Sequence, residues 1–470
     1  MFLIEKRAVE GRLDVQFYGH EFNVFDKIIS QKPYKKFNKI YKSVLNGYDF
    51  RDYKESGTPY LKVANIRKGE FDFKNLQFID FNSSEISKKI QLLKGNLLLT
   101  RKGTFGNAIA LNENYDYIIS SEVFYIEIKK QEINYKFLEI FFNSRIGQAQ
   151  FDKHKIGAIM GSLSQEALSN LKIPTPSFAI QNQIVSIMET AYITISLNEQ
   201  KVQSILQSID DYLLEKLGIS KTKSETQKGH FYINARDLSG NRFDPKSYLD
   251  FYDTLRNSIE KGKYETVTLR SLITQSSAGD WGKDEGDKIV IEEYTRCLVI
   301  RATEFDNDYN LNLDRSRTKY RMILKEKLKK LSVQVGDLLI EKSGGSENQP
   351  VGRISIIEQE MLDNETIAYS NFIHKIRIDT TKIDSTYLFC FLKTMHNIKL
   401  TEVMQSQTNG IRNLIMREYL SQKIPLPPLD EQKRIATVIY AMRHEAKTLQ
   451  QSARLLLENT KKEIETIIIG

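Results

Sequence analysis

Cysteine, tryptophan and histidine are scarce, with two Cys, one Trp and six His in 470 residues. Cys297 and Cys390 stand far apart in apolar surroundings, which argues against a disulfide framework and predicts two reduced core thiols. So few Cys and such scattered His also argue against a structural zinc site. No stretch approaches the roughly 18 to 20 uninterrupted apolar residues of a membrane span, so no membrane partner is expected. The opening MFLIEKRAVEG is too short and too charged for a signal peptide, and a cytoplasmic protein is expected. A G-x-x-x-x-G-K-[ST] phosphate loop and a dinucleotide G-x-G-x-x-G are both missing, as is an Asn/Asp-Pro-Pro-aromatic element of the amino-methyltransferase kind. Asp430-Glu431-Gln432-Lys433 superficially resembles a nuclease set, but these are consecutive residues at a helix start, where capping explains them. His154 and His374 have no partnered carboxylate or nucleophile by spacing. An enzyme is disfavoured, and no catalytic, metal-binding or cofactor-binding residue is assigned.

What the sequence does contain is a repeat. Ile173 to Ile184, IPTPSFAIQNQI, and Ile424 to Ile435, IPLPPLDEQKRI, share one form: prolines that hold the backbone extended, then an apolar helical run. In the second, Asp430 is placed to cap the helix, with Glu431 in its first turn. Upstream, Phe2-Leu3-Ile4 and Arg12-Leu13-Asp14 align with Phe231-Tyr232-Ile233 and Arg242-Phe243-Asp244. Gly95 to Gly103, GNLLLTRKG, aligns with Gly336 to Gly344, GDLLIEKSG, and Gly106 with Gly352. Ser120 and Ile126 then correspond to Ser370 and Ile376. The order holds along the whole chain, so the protein is two copies of one plan.

Each copy mixes short strands, such as Tyr60-Leu61-Lys62-Val63, Asn96 to Thr100 and Val123 to Ile128, with a helix near Asn134 to Arg145. The fold class is α+β. In the first copy Thr100-Arg101-Lys102-Gly103-Thr104-Phe105-Gly106 sets two cations and a hydroxyl between glycines, a composition that fits either a plain hairpin or a loop touching DNA. Its counterpart keeps Lys342 and adds Ser343, Ser346, Asn348 and Gln349, and recurrence with different side chains favours a reading loop. Candidate DNA contacts are therefore Arg101, Lys102, Thr104 and Lys62 in the first copy, and Lys342, Ser343, Asn348, Gln349 and Trp281 in the second. Trp281 suits stacking on a base or anchoring its own turn, and anchoring is the simpler role. A net charge of +8 suits a polyanionic partner, yet a Lys-rich surface explains it equally well.

Residues 179–218 and 430–468 predict two helices of about 60 Å, at a rise of about 1.5 Å per residue. Ile184, Met188, Ala191, Tyr192, Val202, Ile209 and Leu213 stripe the first; Ile435, Val438, Ile439 and Ile464 stripe the second. Neither helix can bury its stripe alone, so they are expected to pair as an antiparallel coiled coil. The polar stretch Ser220 to His230 reads as a linker.

These features resemble the specificity subunits of type I restriction-modification systems. The resemblance covers the whole chain and rests on the paired I-P-x-P helix starts and the Gly95 and Gly336 turns; the first helix lacks the second proline pair and the Asp-Glu, which predicts a weaker cap there. It implies target recognition domains at 1–175 and 231–423, spacer helices at 176–218 and 424–470, and a linker at 219–230. It further implies a non-catalytic reader of a bipartite, asymmetric site in double-stranded DNA. Two modification subunits using S-adenosylmethionine, and restriction subunits joined through them, are the implied partners. A coiled-coil scaffold that binds only proteins is the alternative.

Overall fold

The computed structural model describes residues 20–81, 90–154, 161–221, 248–307, 310–313, 318–345, 349–363, 365–408 and 411–469. The repeat's opening residues, most of the linker, Ser346 and Asn348 lie outside them. The chain forms two compact units, Met1–Asn198 with Gln451–Gly470, and Glu199–Gln450.

In the first unit an antiparallel sheet runs in the order Tyr41–Asn46, Val123–Ile128, Leu97–Thr100, Ala108–Ala110. Leu97 and Leu99 face one core and Leu98 faces another, which is why this strand reads as an unbroken apolar run rather than an alternation. A second sheet orders Gln77–Ile79, Thr58–Leu61 and Ile118–Ile119. The second unit repeats both sheets. Ile273–Ala278, Ile373–Ile378, Leu338–Glu341 and Ile354–Ile356 form one; Lys319–Leu324, Tyr294–Ile300 and Ile367–Tyr369 form the other. Leu338 and Ile340 again face one core while Leu339 faces another. A further sheet, Ser343–Gly345, Ile411–Leu414 and Gln405–Thr408, stands beside the glycine turn.

The long helices are Phe178–Leu217 and Leu429–Ile469. In the second unit Lys201 pairs with Glu445, and Val202, Ile209 and Leu213 share a core with Ile435 and Ile439. In the first unit Ile184 and Met188 share a core with Ile464 and Ile468. The stripes are thus buried as the spacing predicts, except that Tyr192 and Val438 are exposed. Cys297 and Cys390 are buried free thiols. No helix among the described residues is long and apolar enough to cross a membrane.

The helix starts differ from expectation in one respect. The first intrahelical bond of the second helix runs from the Gln432 N–H to the Pro428 carbonyl, so Asp430 sits inside the first turn and is not the cap. In the first helix Ser177 fills the cap position, and its hydroxyl accepts from the Ile180 N–H at 3.4 Å. The copy expected to have the weaker cap is the one with a capping side chain. Both copies also place a buried glutamine one turn in. The Gln181 Oε1 accepts from the Asn134 N–H at 2.8 Å and its Nε2 donates to the Pro176 carbonyl at 2.8 Å. Gln432 does the same with the Asp384 N–H and the Pro427 carbonyl, both at 2.8 Å. Asn134 and Asp384 are themselves N-caps of the helices Tyr135–Asn143 and Ser385–Asn397. The proline segment and the following helix are thereby fastened to the helix that packs on the main sheet.

Candidate nucleic-acid interface

The glycine turn leaves the main sheet at Thr100 in one copy and at Glu341 in the other, and its backbone is tied in the same way in both. The Gly106 N–H donates to the Thr100 carbonyl, and the Gly352 N–H to the Glu341 carbonyl. Gly106 and Gly352 have φ of 88° and 101°, conformations that penalise a side chain. The Arg101 N–H donates to the Glu122 carbonyl at 2.9 Å, and the Lys342 N–H to the Phe372 carbonyl at 2.7 Å. The Arg101 carbonyl accepts from the Leu163 N–H and the Lys342 carbonyl from the Leu414 N–H, each at 2.8 Å.

Behind the turn the same tie is made with different chemistry. In the first copy the Thr100 hydroxyl accepts from the Asn107 N–H at 2.9 Å, and the Asn107 amide donates to the Ile66 carbonyl at 3.0 Å. In the second, Arg353 makes two bonds to Glu341, at 2.9 and 2.8 Å, and donates to the Phe305 carbonyl at 2.8 Å. A neutral pair in one copy is a buried ion pair in the other. The same exchange occurs at the sheet's start. Asn96 bonds the Tyr125 hydroxyl at 2.8 Å, whereas Asp337 takes two bonds from Arg377, each 2.7 Å.

One buried base bonds the second copy's turn, and another bonds the loop that Gln349 joins. The Lys393 ammonium donates to the Asn307 carbonyl at 3.0 Å, and the His396 Nε2 to the Pro350 carbonyl at 3.2 Å. Burial first, and then neighbouring Lys393, push His396 down to about 4. Its folded value lies below that of the unfolded chain, so the unfolded chain binds more protons as pH falls from the ordinary value of 6.5 towards 4. The second unit should therefore be fully stabilised above that window and lose on the order of 2 to 3 kcal/mol across it. Unfolding of wild type and His396→Gln at pH 7 and pH 4.5 checks this; an unchanged pH dependence in the variant would refute it.

The candidate contacts divide. Lys102 and Thr104 are exposed on the first turn. Arg101 is half-buried, with its guanidinium 5.0 Å from the Phe124 ring centre and bonded to the Asn46 amide oxygen at 3.0 Å. Lys62 lies apart on its own loop, its ammonium 4.3 Å from the Tyr53 ring centre. In the second copy Lys342 is half-buried at the turn, and Gln349 donates to Asn307 at 3.0 Å. Ser343 corrects the sequence reading: it is 5% exposed, and its hydroxyl is bonded to the Asn413 side chain across the adjoining strand. Trp281 is half-buried with the Arg321 guanidinium 4.7 Å from its ring centre, the packing of an anchor. Asn348 lies outside the described residues. Sequence reasoning missed Glu122 and Phe372, whose carbonyls receive the turns; both side chains are exposed, Phe372 by 49%. The only available signal was their place one residue before the aligned strands Val123–Ile128 and Ile373–Ile378.

Among known proteins, the type I restriction modification DNA specificity domain matches residues 37–207 and 261–457. The specificity subunit of the type I restriction enzyme EcoBI of Escherichia coli is 25% identical over 171 residues, which span 36% of this chain and 35% of that protein. The EcoKI specificity subunit of Escherichia coli strain K12 is 18% identical over 416 residues, 88% of this chain and 82% of that one. A solved structure described under complex assembly and conformational transition of the type I R-M system has a TM-score of 0.51 at 14% identity. It covers 93% of this chain and 96% of its own. That likeness shows a shared fold.

Proposed function

We infer that this chain, which belongs to the type I restriction modification DNA specificity family, supplies the DNA sequence specificity of a type I restriction-modification complex. Within that role, residues 1–175 and 231–423 act as two target recognition domains, each reading one half of a bipartite, asymmetric duplex site. The helices that follow them recruit two modification subunits. S-adenosylmethionine and the methyl transfer to adenine belong to those partners, restriction subunits join through them, and this chain is a non-catalytic reader working in the cytoplasm.

One observation carries the reading. The two glycine turns share every backbone tie named above while presenting different side chains, as expected of one scaffold carrying two base preferences. Arg101, Lys102 and Thr104 form the first contact, and Lys342 with Gln349 the second; Lys62, on its own loop, adds a separate cation to the first domain. Cations at such a turn supply attraction to phosphate, and base-edge contacts supply discrimination.

The test substitutes Arg101 and Lys102 by Ala in the assembled complex and measures duplex binding at two salt concentrations. Each lost phosphate contact should make the salt dependence shallower by about one unit of slope, and a lost base contact should relax preference in the first half-site only. Unchanged affinity, slope and preference would sink the assignment. Wild-type binding that ignores both sequence and salt would instead favour the protein-binding scaffold.

A further inference from the structure

We propose that Glu122 and Phe372 are specificity-determining residues at equivalent positions of the two recognition domains. On this assignment Glu122 accepts a hydrogen bond from an exocyclic base amine in the first half-site, and Phe372 packs on a thymine methyl group in the second. The proposal rests on the DNA-reading function above and names residues that the sequence pattern did not single out.

The equivalence is geometric. Glu122 receives the Arg101 N–H, and Phe372 receives the Lys342 N–H. The next residues, Val123 and Ile373, each donate to a serine carbonyl, of Ser120 and Ser370, at 2.9 Å. Their own carbonyls accept from Gly47 and Gly279, at 3.2 and 3.1 Å. Backbone position is thus set on both sides of the residue in each copy, and only the side chain differs. A rigidly placed, outward side chain beside a cationic turn has the geometry of a reading residue.

The chemistry of each residue narrows its role. Among the described residues no ion pair or side-chain hydrogen bond involves Glu122, and the neighbouring Arg101 guanidinium is bonded to Asn46 instead. A free carboxylate beside Arg101 and Lys102 weakens their attraction for phosphate, so its favourable interaction with DNA is acceptance from an amino group, as at cytosine N4. Phe372 bears no charge and cannot serve phosphate. An aromatic ring at the major-groove edge contacts the thymine methyl, the apolar feature that distinguishes that base. An acid in one copy and an aromatic in the other would give two unlike half-sites from one scaffold.

The complex with its modification subunits would be offered a duplex library with two randomised segments. For Glu122→Ala, which removes the acceptor, preference at one base pair of the first half-site should fall about tenfold, with the second half-site untouched. Phe372→Ala should do the same at one T·A pair of the second half-site, leaving the salt slope unchanged because no phosphate contact is lost. Uracil in place of that thymine should cost the wild type about as much as the substitution does, and should cost Phe372→Ala nothing further. Variants that select the wild-type sequences, or that shift affinity equally for every sequence, would overturn the proposal while the function stands. A wild-type complex that selects no sequence would overturn the function itself.

Discussion

Glu341→Thr and Arg353→Asn should each destabilise the second unit by about 3 to 5 kcal/mol, whereas the double substitution should recover a large part of that loss. The Glu341 side chain is wholly buried and that of Arg353 only 12% exposed. Removing either partner strands a charge away from water, and that stranded charge, more than the lost attraction, makes the single changes costly. The double change installs the pair present at the equivalent place in the first unit, where Thr100 and Asn107 hold the turn and the adjoining loop without charge. Hydrogen exchange in the strands Leu338–Glu341 and Ile354–Ile356 reads the stability of this unit even if the two units unfold separately. A coupling of about 2 kcal/mol or more is expected between the two positions. Simple additivity would mean that the ion pair and the neutral pair are not interchangeable solutions to one packing problem.

Gln432→Ala is the second large effect expected, about 3 to 5 kcal/mol, because it leaves several buried backbone groups unpaired at once. The side chain is fully buried and serves the Asp384 N–H and the carbonyls of Pro427 and Lys382. Gln181→Ala should cost the first unit somewhat less, since Gln181 serves one donor and one carbonyl. Because Asp384 and Asn134 begin helices of the sheet domains, either change should loosen the hold of that domain on the start of its long helix. Equilibrium unfolding with fluorescence and hydrogen exchange on the same samples would measure both. Losses below 1 kcal/mol would show that water takes over the glutamine's bonds.

The glutamines and the ion pair belong to different layers of the protein. The glutamines fasten each recognition domain to the helix that follows it, and the Glu341–Arg353 pair sets the turn that the domain presents. Neither is among the proposed DNA contacts. Failure of either would therefore concern how the scaffold is held and would leave the assignment of Glu122 and Phe372 to be judged on its own experiment.

By itself the sequence determined the features written in local pattern. The duplication, the span of the long helices from Phe178 and from Leu429, the strand Leu97–Thr100 and the glycine turns follow from periodicity, proline and glycine acting over neighbouring residues. The tertiary structure decided which side chains are available to a partner. Ser343 belongs to a polar turn in sequence, yet strand pairing with Asn413 turns it inward. Trp281 stands in a glycine-flanked turn that suits stacking or anchoring alike, and Arg321, from a distant strand, covers its ring. Asp430 has the right residue type for a cap but stands two positions too far into the helix, because the bond to the Pro428 carbonyl sets where that helix begins. Glu122 and Phe372 are set beside the turns by hydrogen bonds to their carbonyls, which join residues distant in sequence. Propensity and period act between near neighbours, whereas exposure and cross-strand hydrogen bonding depend on residues that only the folded chain brings together.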